Sequence, residues 1–388
     1  MKQKKRKIAV VITSRASYAR VKSLLKAISK NKNLELILIG AASLILEKYG
    51  NAHMIMEKEG FKINEKVYMV IEGENPATMA KTVGVGIIEL ATIFDNYKPD
   101  IVVSIADRFE TVATAIAGSY LNIPIAHIQG GEITGSIDEK VRHAVTKFAS
   151  AHFVSNEFAF KRVRQMGEPE DTIYITGCPS IDLADAVLKD PEMKFKFFEK
   201  YGGVGDIIDL NKDFIVVMQH SVTTEFSHAY EQMWETLMAV DSVGIPAIIM
   251  WPNMDAGSDR ISKAIRTYRE LHKPQHVHFF KNFQPQDFLK LLLRSKGIVG
   301  NSSVGIREGS FLGVPAVNIG NRQLGREQAD NVVNVDYDRK KITQAIKNHI
   351  IKNQRFPSSH LYGDGTAGEK IAGLLSKIDI KVEKRFTP

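Results

Sequence analysis

The order of apolar runs predicts an α/β protein with two doubly wound parallel sheets, each wrapped by helices. Three observations carry that prediction. Short apolar runs alternate with amphipathic stretches of helical period from the first residues onward. Some runs, such as Ile101–Ile105, are apolar throughout, as expected of strands covered on both faces. The rhythm breaks at a charged, aromatic-rich segment, Leu188 to Asp213, and then restarts. At about 150 residues per domain, the 388 residues fit two or three domains.

The elements follow in order. Ile8–Ile12 reads as the first strand, Ala19–Ile28 as an amphipathic helix and Leu34–Ile39 as the next strand. Pro76–Tyr97 carries a long helical pattern, stopped by Lys98-Pro99. After Ile101–Ile105 come a helix (Phe109–Tyr120), a strand (Ile123–His127), a helix (Ile137–Ala149) and a strand (His152–Val154). The alternation resumes with the strand Phe214–Met218, a helix around Tyr230–Ala239 and the strand Ala247–Trp251. Strands near Val277, Ile298 and Val317 complete the set. The expected division is an N-terminal Rossmann-like domain over 1–185, a C-terminal one over 186–365, and a helix and tail over 366–388. That last helix, about Ala367–Ile378, follows a Gly363-Asp364-Gly365 turn and is a candidate to cross back onto the first half.

Composition narrows the function. A hydrophobic share of 44% and a charged share of 25% are those of a globular protein with a sizeable core. No apolar stretch of about 18 residues stands out, so no membrane span is expected. The basic N-terminus, MKQKKRK, runs straight into a short strand without a cleavage site, and a cytoplasmic protein is expected. Cys178, the one cysteine, excludes an internal disulfide and reads as a structural thiol. The net charge of +8 is spread among acids rather than clustered with aromatics. That favours a small anionic ligand over nucleic acid.

The most informative stretch is Asn301 to Glu308, NSSVGIRE. It follows an apolar strand-like run and reads as a polar turn that opens a helix. Two hydroxyls (Ser302, Ser303) and a helix N-terminus attract phosphate, and Arg322 and Arg326 follow within one connection. Arg15-Ala16-Ser17-Tyr18 follows the first strand, where a Rossmann phosphate loop would lie. No GxGxxG is present, so no dinucleotide cofactor is expected, and Arg15 is the candidate phosphate clamp. No metal-ligand spacing such as HExxH occurs, and no catalytic metal is expected.

Carboxylates gather at strand ends, where open α/β sheets bind ligands. Asp107-Arg108 ends the strand Ile101–Ile105, and Asp107 is either half of a capping box with Glu110 or a functional acid. His127-Ile128-Gln129-Gly130-Gly131-Glu132 follows the next strand; the glycines permit close backbone approach, and His127 reads as a bonded core histidine. Ser136 and Glu139 fit a capping box, which puts Asp138 in the first helical turn with Arg142 on its face. Three acids at one edge suit proton transfer, because crowding and burial tune carboxyl groups toward neutral pH. In the second half, His220 ends the strand Phe214–Met218, and Asn253 and Asp255 follow the strand Ala247–Trp251.

Taken in order, these pieces resemble a known family. Ser14-Arg15-Ala16, Asp107-Arg108-Phe109-Glu110, Gly130-Gly131-Glu132 with Ile137-Asp138 and Arg142-His143, Gln219-His220, Pro252 to Ser258, Gly300 to Glu308 and Asn318 to Gln323 resemble the hydrolysing UDP-N-acetylglucosamine 2-epimerases of the sialic-acid type. The resemblance implies a GT-B-like fold, two Rossmann-type domains with UDP in the cleft between them, acting as a homo-oligomer (dimer or tetramer). It implies UDP contacts from Ser302, Ser303, Glu308 and Arg322, with Arg15 and Arg108 on phosphates. It assigns acid–base work to Asp107, Glu132, Asp138 and His220. Ser17, Gln129, Arg142, Asn253 and Asp255 would line the pocket, and Asn282 and Phe283 would flank the uracil. Two positions depart from the pattern: Gln129 stands where some relatives have a carboxylate, and Ser43 where several have histidine. A 2,4-diacetamido sugar in place of N-acetylglucosamine is one reading of both.

The implied chemistry is loss of the proton at sugar C2 with cleavage of the bond to UDP, then addition of water across the glycal. A GT-B glycosyltransferase, a non-hydrolysing epimerase and a nucleotide-sugar sensor remain as alternatives from the sequence.

Overall fold

The computed structural model describes residues 4–73, 75–106, 108–134, 137–253, 255–352 and 354–385. Asp107 and Ser136, both singled out above, lie outside the described residues. The chain forms two compact units. The first comprises Met1–Glu132, Ile137–Leu183 and Tyr362–Pro388; the second comprises Ile133–Ser136 and Ala184–Leu361.

The first unit carries a seven-stranded parallel sheet. Its strands are β1 (Arg6–Ile12), β2 (Leu34–Ala41), β3 (Glu65–Val67), β4 (Ile101–Ile105), β5 (Ile125–Ile128), β6 (Ala151–Val154) and β7 (Ile173–Ile175). The order is β3-β2-β1-β4-β5-β6-β7. Ile8, Val10 and Ile12 face one apolar cluster while Ala9 and Val11 face another, so both faces are covered. This is why the strand sequences are apolar without alternation. The expected helix Ala19–Ile28 is divided into Arg15–Ala19 and Lys22–Lys30, since Val21 leaves the helical region.

The helix Pro76–Tyr97 differs from the sequence reading in one respect. It is long and apolar enough, by length and composition, to cross a membrane. Its Leu90 and Phe94 are buried in the first unit's core, with Val83, Ile87 and Ala91 packed beside them, and Ile88 is exposed. Asn75 and Thr78 close a capping box at its start.

The helix Ala367–Leu375 belongs to this unit. Ile371, Ala372 and Leu375 are buried among β1 and Lys22–Lys30 side chains. Arg6 donates to the carbonyls of Leu375 and Ile378, both at 2.8 Å. Asp182 accepts from the backbone N–H groups of Ala367 and Gly368, capping the helix from outside.

The second unit also holds seven strands: β8 (Val204–Gly205), β9 (Ile215–Met218), β10 (Ala247–Met250), β11 (Val277–Phe280), β12 (Gly297–Gly300), β13 (Ala316–Ile319) and β14 (Val332–Val335). The order is β14-β13-β12-β9-β10-β11-β8, and β8 pairs antiparallel with β11. That short strand lies in the charged segment read as a break in the rhythm. It has two residues and is exposed, so no apolar run announces it.

Candidate active site

The chain reverses its direction of travel between β1 and β4 in the first sheet and between β9 and β12 in the second. Such switch points open a crevice at the carboxyl ends of the strands. Many of the predicted residues follow strands of these sheets: Arg15 and Ser17 follow β1, Arg108 follows β4, Gln129 and Glu132 follow β5, His220 follows β9, Asn253 and Asp255 follow β10, and Ser302 and Ser303 follow β12.

In the first unit, Ser14 follows β1 and caps the helix Arg15–Ala19, its Oγ accepting from the Ser17 N–H at 3.1 Å. Ser17 is buried, with its hydroxyl bonded to that of Ser14, so it serves the cap. Partial burial pulls the Arg15 guanidinium down to about 10. Beyond β4, Ala106 takes a left-handed backbone (φ 59°). His127 Nε2 lies 3.0 Å from the Ala106 carbonyl and Nδ1 lies 3.2 Å from Thr146 Oγ1. This fits a neutral ring that donates from Nε2, and His127 fixes the backbone just before Asp107. Arg108 pairs with the fully buried Glu110 at 2.6 Å. Glu110 therefore makes an ion pair, and the helix begins at Thr111 without a side-chain cap.

The loop after β5 is held tightly. Gln129 and Gly131 have positive φ, and a Cβ at Gly131 would meet the Ala159 carbonyl oxygen at 2.3 Å. Only glycine fits there. Arg162 donates to the Gly131 carbonyl at 3.1 Å and the fully buried Arg142 to the Glu132 carbonyl at 2.5 Å. Glu132 itself is 1% exposed. Asp138 occupies the first turn of the helix Ile137–Phe148, where the helix dipole favours a carboxylate. Glu139 pairs with His143 at 3.3 Å. Gln129 donates to the Cys178 Sγ at 2.5 Å, and Cys178 is buried, as read from the sequence.

In the second unit, His220 is 5% exposed and its Nδ1 accepts from the Asn253 N–H at 3.3 Å. The neutral ring therefore carries its proton on Nε2. The side chain of Asn301 bonds both the N–H (2.7 Å) and the carbonyl (2.8 Å) of His220. Its own carbonyl accepts from Arg322 (3.4 Å) and Gln323 (3.0 Å). Asp255 is 8% exposed, in the loop after β10.

Two details differ from the sequence reading here. The helix expected to open at Ser303 is a run of turns, with Gly305 and Ile306 N–H groups bonded to the Ser302 and Ser303 carbonyls. The helix proper, Glu308–Phe311, is a single turn. Arg307, buried behind the loop, donates to Ser303 Oγ at 2.9 Å, and Glu308 is 5% exposed. Arg326 turns away from Arg322's partner and donates its Nε to the Ile133 carbonyl. Phe283 is 2% exposed, packed against Phe197, Phe280 and Tyr201. It supports the loop, and Asn282 stands beside it at intermediate exposure. Arg162 escapes sequence reading, because a side chain that bonds backbone has no motif of its own; Asn301 and Arg307 fall inside the Asn301–Glu308 stretch, but the sequence assigns neither a role of its own.

The model of one protein family, UDP-N-acetylglucosamine 2-epimerase, matches residues 26–376. The chain belongs to that family. This epimerase-family chain is 30% identical over 375 residues to the UDP-N,N'-diacetylbacillosamine 2-epimerase (hydrolyzing) of Legionella pneumophila, covering 97% of each. It is also 30% identical over 394 residues to the UDP-N-acetylglucosamine 2-epimerase of Neisseria meningitidis serogroup B, covering 98% of each. Among solved structures, the Methanocaldococcus jannaschii UDP-GlcNAc 2-epimerase in complex with UDP-GlcNAc and UDP superposes with a TM-score of 0.78 at 18% identity. That match covers 95% of this chain and 99% of the other, and it establishes the GT-B-like fold of the epimerase family here.

Proposed function

We propose that this chain is a hydrolysing 2-epimerase that converts UDP-N-acetylglucosamine and water to N-acetylmannosamine and UDP. The observation that carries the reading is Glu132: a carboxylate almost wholly removed from water, in a loop pinned by two arginines. Family membership and the relatives named as hydrolysing support it.

In this scheme the second unit holds UDP through Ser302, Ser303, Glu308 and Arg322. The first unit supplies Arg15 and Arg108 for the phosphates. A carboxylate from Asp107, Glu132 and Asp138 takes the C2 proton as the C1–O bond to UDP breaks. Desolvated cations offset the charge that develops on the diphosphate. The electron pair of the C2–H bond forms the C1–C2 alkene, and UDP leaves with the pair of the C1–O bond. Water then adds its oxygen at C1, and an acid group protonates C2 from the opposite face. His220, with a proton on Nε2, is a candidate donor to the departing oxygen.

Gln129 favours a second reading of the sugar. By the resemblance it stands where some relatives have a carboxylate, and here its amide donates to the Cys178 thiol. Two of the 30% identical relatives are named for UDP-N,N'-diacetylbacillosamine. The second reading is the same chemistry on that 2,4-diacetamido sugar. NMR in heavy water with each UDP-sugar tests both. Free 2-epimer carrying deuterium at C2 supports hydrolytic epimerisation and identifies the sugar. Product still attached to UDP, or no product from either, overturns it.

A further inference from the structure

We infer that Asn301 is a positioning residue that couples the acid–base histidine to the diphosphate grip; this rests on the function proposed above. β9 and β12 are neighbours, with Gly300 in register with Met218. The ladder runs one step past the strands, as the Asn301 N–H donates to the Met218 carbonyl at 3.2 Å. There the backbones part, because Gly300 adopts φ 132° and no other residue fits: its Cβ would meet the Met218 carbonyl oxygen at 2.2 Å.

The Asn301 side chain then takes the place of the missing strand. Its carboxamide has the donor and acceptor of a peptide group, and it satisfies both the N–H and the carbonyl of His220. Asn301 is fully buried, so water cannot substitute. With its backbone locked, His220 also accepts on its ring from the Asn253 N–H, which helps to orient the imidazole. The Asn301 carbonyl meanwhile receives Arg322 and Gln323, the latter 1% exposed. One residue thus sets the spacing between the imidazole and the arginine proposed to face the diphosphate.

No other side chain meets these demands. Aspartate accepts from the His220 N–H but sets a negative oxygen against its carbonyl. Glutamine is one methylene too long, and alanine leaves two buried backbone groups without partners. Asn301→Asp, nearly isosteric, is the informative variant. Its kcat is expected to fall about 100-fold, as small misplacements of reacting groups do. In a His220→Ala background the same substitution should cost little more, because the loss passes through that ring. UDP should also bind more weakly, through Arg322. Multiplicative losses in the double variant, or Asn301→Asp retaining kcat, overturn the inference. A separate readout is the 15N spectrum of labelled histidines, assigned with His220→Gln. Asn301→Asp should disturb the single Nε2–H tautomer of His220, and an unchanged signal overturns the coupling. Should the unsubstituted enzyme turn over no UDP-sugar, the proposed function fails, while the histidine spectrum still decides the role of Asn301.

Discussion

A buried carboxylate is useful to catalysis only if it cannot drift, and the backbone that carries Glu132, an acid of the proposed reaction, is held in place. Arg142 and Arg162 grip the carbonyls of Glu132 and Gly131. Glu132→Gln keeps that grip and removes the basic oxygen. Turnover is expected to fall about 100-fold with UDP affinity little changed, as steady-state kinetics and calorimetry would measure. Gly131→Ala acts differently. The added methyl group meets the Ala159 carbonyl, so the loop moves or the fold weakens by about 1–3 kcal/mol. A fall in denaturation midpoint together with activity is the expected signature. A drop in activity at unchanged stability would instead assign Gly131 a role at the ligand.

Among elements, the C-terminal segment is fastened by charge as well as by packing. Glu168, 1% exposed, receives His152 at 3.1 Å, Lys147 at 2.7 Å and Lys384 at 2.5 Å. Burial pushes its pKa up, but the bonds from His152, Lys147 and Lys384 outweigh this and hold it at about 2. A folded value below the ordinary 4.5 gives stability that is complete above the unfolded pKa and lost as pH falls toward 2. His152 is pulled down, chiefly by burial, so it too resists acid by staying neutral. Both groups therefore weaken the fold on acidification. Glu168→Gln should cost about 3 kcal/mol at neutral pH, and the gap to the parent should close at strongly acid pH. Denaturant titrations across that range check it; a constant gap would show that ionisation is irrelevant. Gly368 makes the helix Ala367–Leu375 fit, since a Cβ there would meet the Leu24 nitrogen at 2.7 Å.

Across the whole molecule, the sequence made the fold legible and the site only in outline. Continuous apolar runs such as Ile101–Ile105 exist because helices cover both sheet faces, and that cause acts locally enough to be read. The polar loops could be placed at strand ends for the same reason. What stayed hidden depends on distant partners. The resemblance puts Phe283 beside the uracil, but the sequence does not announce that Phe197 and Tyr201 pack against its ring. Burial can hide even a near partner: Glu110 fits a capping box with Asp107, but the buried Arg108, two residues away, takes its carboxylate. The last helix supplies the prediction at this scale. Leu375→Ala should destabilise the first unit by about 2–5 kcal/mol, seen as lost amide protection in β1 and β2 by hydrogen exchange. Protection lost equally in β9 and β12 would contradict it.

The placement of Ile371, Ala372 and Leu375 in the core beside β1 has a consequence during synthesis. Residues 184–361 emerge from the ribosome as one uninterrupted stretch and can close their sheet at once. The first unit, though translated earlier, must wait with an open apolar flank until the helix Ala367–Leu375 has emerged. A nascent chain stalled before residue 362 should therefore carry a finished second unit and a first unit that chaperones still recognise.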